Sequence, residues 1–108
     1  GAYNQPFAFF AVRDGDAERL FLPTMTQEGP SVTRLAWNID WNQSSRELTA
    51  FFRGRGLGDC GVWNRWRVAE TEEGPAFVLI ESRVKEDCDG NPLGGPENWP
   101  PTWPPARR

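Results

Sequence analysis

Histidine is missing from this chain, lysine and methionine each occur once, and cysteine occurs only at Cys60 and Cys88. The missing imidazole removes the usual general base and the usual nitrogen ligand for metals. Two thiols without histidine make a poor zinc site, because structural zinc takes four Cys or His ligands. A cysteine nucleophile would lack its usual histidine partner, and Ser44 and Ser45 have no base nearby in the sequence. Glu72 and Glu73 sit side by side on a turn, not across a cleft as glycosidic carboxylates must. No apolar run approaches the roughly 20 residues of a membrane span. A disulfide is the economical use of Cys60 and Cys88, and it implies an oxidising compartment.

Charge is also lopsided. The net charge is −3, so the basic footprint of a nucleic-acid or anionic-membrane binder is missing. Eleven of the twelve basic residues are arginine. Arginine favours planar, hydrogen-bonded pairing with carboxylates, so many of these cations are expected in structural pairs. Arg53, Arg55, Arg65 and Arg67 interleave with Phe52, Trp63 and Trp66 as single-strand binders do, but cation–π and carboxylate pairing explain that pattern equally.

What is plentiful is aromatic. Seven Phe, six Trp and one Tyr in 108 residues are enough for one modest folded core. Eleven Gly and ten Pro leave little room for long helices. The apolar pattern predicts strands at 7–12, 20–22, 32–39, 47–53, 63–69 and 77–85. Asp14-Gly15 is a hairpin turn signal, and residues 71–75, TEEGP, are a second turn. Residues 24–31 read as a loop and 40–45 as a polar turn. Ser44 and Glu47 also fit a helix capping box, but glycines at 54, 56 and 58 would stop that helix at once, so 47–53 reads as strand. The fold class is all-β: a single antiparallel sheet, or a small sandwich or barrel, of about six strands built from hairpins. Residues 1–90 form this domain. Residues 91–108 form a Pro/Trp-rich extended tail packed on it, with Trp99 and Trp103 folding back over apolar surface.

An antiparallel pair centred on Gly74 sets Cys60 opposite Cys88 and Arg67 opposite Glu81. It places Val62, Trp66, Val68, Val78, Ile80 and Val84 on one face. It also opposes Arg65 and Arg83, which requires a carboxylate such as Glu81 or Glu70 between them. A Cys60–Cys88 bridge would clamp the open end of this hairpin and contribute roughly 3 kcal/mol in the chain-entropy account.

The run FRGRGLGDCG, residues 52–61, invites a phosphate-loop reading. It lacks the Lys-Ser/Thr pair of an NTPase loop, and no helix follows to hold a phosphate. It reads as a tight connection between strands, with Arg53, Arg55 and Asp59 forming a small exposed charged site. Alternating Asn38, Asp40, Asn42 and Asp87, Asp89, Asn91 resemble the start of calcium loops, but the glycine and glutamate positions fail, so these are turn-forming Asx residues. The six tryptophans divide between core and an exposed platform, with core favoured.

LAWNIDWNQSSRELTAFFRGRGLGDCG is similar to the signature of a family called domain of unknown function 1176, found in the envelope or periplasm of Gram-negative bacteria. Downstream, Trp66, Phe77, Leu79, Glu81, Arg83, Cys88, Gly90 and Thr102-Trp103 fall where that family has the same residue types. The resemblance covers residues 35–103. Arg53 stands where the family has Lys, and Cys88-Asp89-Gly90 stands where it has C-R-G. The resemblance implies a periplasmic or extracellular location and supports the disulfide. It also implies either a C-terminal portion of a longer protein or a compact relative, and supplies no activity.

The sequence therefore points to a non-catalytic binding or envelope-structural module without cofactor or metal. Its expected partner is an envelope protein or a glycan, and its candidate surface gathers Arg53, Arg55, Asp59, Trp63 and Trp103. The alternative is an inhibitor of a secreted hydrolase such as a cell-wall lytic enzyme, with the Gly/Arg loop inserting into its target.

Overall fold

The computed structural model describes residues 4–105. The extreme ends of both expected segments, 1–3 and 106–108, lie outside the described residues. The fold is all-β: the described residues form eleven strands and one short 3-10 turn at Pro96–Asn98. The strands are β1 (Pro6–Phe7), β2 (Phe9–Arg13), β3 (Asp16–Leu20), β4 (Leu22–Thr26), β5 (Gly29–Thr33), β6 (Ala36–Trp37), β7 (Ile39–Asn42), β8 (Glu47–Arg53), β9 (Gly61–Thr71), β10 (Gly74–Lys85) and β11 (Pro101–Trp103). An antiparallel sheet in the order β11-β10-β9-β8-β7 is the platform, joined by the two-stranded ladders β2–β3, β4–β5 and β1–β6.

Several strands fall where the sequence puts them, and the differences have local causes. Asp14 and Gly15 both take positive φ, 51° and 82°, as a two-residue hairpin loop requires. Residues 24–31 are not a loop. They belong to the hairpin β4–β5, closed by the same chemistry that closes β9–β10. Thr26 Oγ1 donates to Gly29 O at 2.9 Å and accepts from Glu28 N at 3.2 Å. Thr71 does the same to Gly74 O and from Glu73 N, at 2.7 and 3.2 Å. The two turns, TQEGP and TEEGP, differ at one position. Residues 40–42 are strand as well, because β8 offers an edge for Ile39–Asn42. The predicted strand 32–39 is broken at Arg34-Leu35 before β6.

The register of β9 and β10 is also corrected. Val68 pairs with Phe77 and Trp66 with Leu79, then a bulge at Ile80 shifts the ladder so that Arg65 meets Glu81 and Trp63 meets Arg83. The bulged strand presents two residues against one. Phe77 and Leu79 therefore share the face of Trp66, in place of Val78 and Ile80, and Arg65 takes the partner expected for Arg67.

The core is small and aromatic. Leu22, Ala36, Leu48, Ala50 and Trp66 are buried, with Phe9, Ile39, Phe77 and Leu79 packed around them. Trp66 is 1% exposed, and its indole Nε1 donates to Pro23 O at 2.6 Å, which fastens β4 above the sheet. The tail also joins the body. Trp99 is fully buried, stacks edge-on against Phe51 and donates to Pro92 O at 2.9 Å. Trp103 remains 37% exposed.

Trp66→Phe keeps most of the buried ring and removes the donor to Pro23. Losing this part-buried hydrogen bond costs on the order of 1 kcal/mol, so urea unfolding of this variant is expected to show that loss. An unchanged midpoint would mean that the indole bond does not hold β4.

Candidate functional site

The two faces of the sheet carry different chemistry, and strand alternation explains why. On one face, three cross-strand rows run side by side: Leu48–Trp66–Leu79, Ala50–Asn64–Ser82 and Phe52–Val62–Val84. On the other face, Arg65 is the hub of an ion-pair ladder. Its Nη1 meets Glu47 at 3.0 Å and its Nη2 meets Glu81 at 3.0 Å. Glu81 also binds Arg83, whose Nη1 donates to Trp99 O at 2.7 Å. Burial opposes ionisation of Glu81, but the hydrogen bonds from Arg83 and Arg65 outweigh it and its pKa is lowered. Glu81 thus lies between Arg65 and Arg83, as their proximity demands.

The first face is concave. The β4–β5 hairpin overhangs it, with Thr24, Met25 and Glu28 above and the cross-strand rows below, enclosing about 420 Å³. That volume lies within the range of small-molecule sites. Most of the lining is apolar: Met25, Leu35, Trp37, Phe52, Val62 and Val84. The Ala50–Asn64–Ser82 row crosses it, and Thr102 on β11 also lines it, next to Trp103, the register partner of Ser82. Asn64 is 8% exposed, and neither its Oδ1 nor Thr102 Oγ1 makes a hydrogen bond within the described residues. A buried polar atom without a partner costs roughly 1–3 kcal/mol. Both atoms belong to residues that line this one groove, and both are buried without a partner. The sequence reading missed Asn64, Ser82 and Thr102; the one signal available was Asn64 at an inward position of the W-N-R-W run.

Of the five residues singled out from sequence, Arg55 and Asp59 meet each other directly. Asp59 is 1% exposed, so the exposed charged site expected there is corrected. Its carboxylate receives Arg55 Nε at 2.9 Å, Arg55 Nη2 at 2.5 Å and Gly90 N at 2.6 Å. The hydrogen bond from Arg55 holds its pKa well below the usual carboxylate range. Arg53 lies over the Phe51 ring at 5.6 Å. Trp63 is buried at 8% exposure. Among the described residues, no hydrogen bond, ion pair or ring contact joins Trp63 or Trp103 to Arg53 or Arg55.

The glycines of this loop serve architecture. Gly54 N donates to Cys60 O at 2.9 Å, and a Cβ on Gly54 would stand 2.7 Å from Cys60 Sγ. Gly61 has φ 142°, and a Cβ there would overlap Phe52 O. Cys60 and Cys88 form the disulfide, with Cα atoms 4.9 Å apart. Asp59 and the two sulfurs lie within 4.8 Å of one another. The sulfurs are joined to each other and the carboxylate is held by Arg55 and Gly90, so the trio presents no ligand set for a metal. Lys85 completes the knot, with Nζ donating to Asp59 O, Asp87 O and Asp89 Oδ1 at 2.9, 2.5 and 2.7 Å. Asn42, Asp89 and Asn91 act as turn residues, each accepting backbone N–H groups two or three residues on.

The family described as "Protein of unknown function (DUF1176)" matches residues 1–106. The chain belongs to this family. This DUF1176 chain is also similar to the "Uncharacterized protein YpfG" of Escherichia coli (strain K12), at 38% identity over 62 residues. The match spans 57% of the DUF1176 chain and 16% of that relative. No solved structure matches.

The depressed pKa of Asp59 fixes a sign. Its ion pair stabilises the fold fully above the unfolded aspartate pKa, about 3.9, and that contribution is lost as pH falls toward the lower folded value. Asp89, held down by Lys85, and Glu81 shift the same way. The melting temperature is expected to fall as pH drops below about 4, and to fall less steeply in Asp59→Asn. Parallel slopes in the two proteins would remove Asp59 from the acid response.

Proposed function

We propose that the chain is a non-catalytic binding module that holds its ligand in the groove beneath the β4–β5 hairpin. The observation that carries this reading is the pair of unpartnered polar atoms, Asn64 Oδ1 and Thr102 Oγ1, in a groove whose apolar lining comes from Met25, Leu35, Trp37, Phe52, Val62 and Val84 and whose polar lining includes Glu28, Ser82 and Glu86. An apolar cleft with a few convergent polar groups is the general form of a small-molecule site. The Cys60–Cys88 disulfide favours work in an oxidising compartment such as the periplasm. No helix among the described residues is long and apolar enough to cross a membrane.

Val62 is 36% exposed on the groove floor, so Val62→Trp fills the groove without entering the core. A screen of envelope-derived small molecules by amide chemical shift is expected to find at least one that moves the Val62, Asn64 and Ser82 signals. Those shifts should vanish in Val62→Trp. A wide screen without such a molecule sinks the binding role.

A second reading, inhibition of a secreted hydrolase, has its own support. Leu57 is 75% exposed at the tip of the loop that Arg55–Asp59 and the disulfide hold in place. Preorganised loops lose little freedom on binding, which suits insertion into a cleft. A hydrolase retained from periplasmic extract and inhibited by the native chain should escape Leu57→Asp. Equal inhibition by both proteins would set this reading aside.

A further inference from the structure

Three features of the groove select one ligand chemistry, and they rest on the binding role proposed above. The first is an acceptor: the unpartnered Asn64 Oδ1 calls for a hydrogen-bond donor. The second is charge. Glu28 and Glu86 line the groove, and Asp87 lines its continuation past Thr102, a space of about 600 Å³. The third is the lack of an available cation among the described residues. Of these, no arginine lines either space, and Lys85, the one described basic residue there, already uses its three N–H donors on Asp59 O, Asp87 O and Asp89 Oδ1. A carboxylate or phosphate entering the groove would be desolvated against apolar walls, face like charge at the rim and find no counter-ion.

We infer that the groove takes a small apolar cation bearing N–H donors: a primary amine or amidine on a hydrocarbon body. The apolar body lies against Trp37, Phe52 and Val62, an N–H group meets Asn64, and the positive charge complements Glu28 and Glu86.

The test uses the full chain and three probes with the same phenyl-alkyl body: phenethylamine, phenethyltrimethylammonium and 3-phenylpropionate. Dissociation constants are read from amide shifts of the groove residues. The amine is expected to bind at least tenfold tighter than the carboxylate, with the quaternary cation, which has charge but no N–H, in between. Asn64→Leu should erase the advantage of the amine over the quaternary ion. Thr102→Val, on the edge strand, provides a second, gentler variant and should reduce it. The double change Glu28→Gln and Glu86→Gln should bring the amine-to-carboxylate ratio toward one, with cooperative melting retained. Carboxylate binding as tight as amine binding, an amine advantage indifferent to both Asn64→Leu and Thr102→Val, or no groove shift with any probe would overturn the cationic class. The broader binding role fails separately, when the wide screen finds nothing whose shifts disappear in Val62→Trp.

Discussion

One extra residue, Ile80, governs the two faces of the sheet. Up to Leu79, odd-numbered residues of β10 look toward Trp66; after the bulge, even-numbered ones do. Without that slip, Glu81 and Arg83 would project into the groove and Ser82 and Val84 would lie among the arginines. With it, the charges collect around Arg65, and the other face is left apolar except for the Asn64–Ser82 row. The separation of ion pairs from groove depends on this single irregularity. Bulges recur next to binding sites for the same reason, since they re-aim side chains without breaking the sheet.

Two fastenings then give the groove its depth. Trp66 holds β4 from below through Pro23, so the β4–β5 hairpin cannot swing clear of the sheet while that bond is intact. At the other end, the Asp59 carboxylate, the disulfide and Lys85 tie the Gly-rich loop to the turn after β10. Buried charges are tolerated where every hydrogen-bonding position is used, and Asp59 meets that condition through Arg55 and Gly90. The loop that looks like a ligand cradle in sequence is thus filled by the protein's own groups.

The local signals were legible and the non-local ones were not. Asp14-Gly15, the long strands after Gly61 and Gly74, and the covalent pairing of Cys60 with Cys88 follow from turn chemistry and composition. Phe77-Val78-Leu79-Ile80 is apolar at four successive positions, so alternation contains no mark of where the register slips. TQEGP reads as a loop and TEEGP as a turn, because Pro23 and Pro30 argue against flanking strands; both prolines lie in a two-stranded ladder, where prolines are admitted. Nothing in the sequence marks Asp59 as the aspartate that Arg55 and Gly90 enclose. Asn64 and Thr102 became visible only once the hairpin lay over them, which is a tertiary event with no trace in neighbouring residues.

The chain's single lysine is 10% exposed along its side chain, with its nitrogen engaged by three oxygens. An ammonium so enclosed is hard to reach, so acylating reagents meet a protected ε-amine in the native protein. Lys85 therefore serves as a built-in footprinting probe: its acylation rate reports how often the sulfur-pinned turn opens.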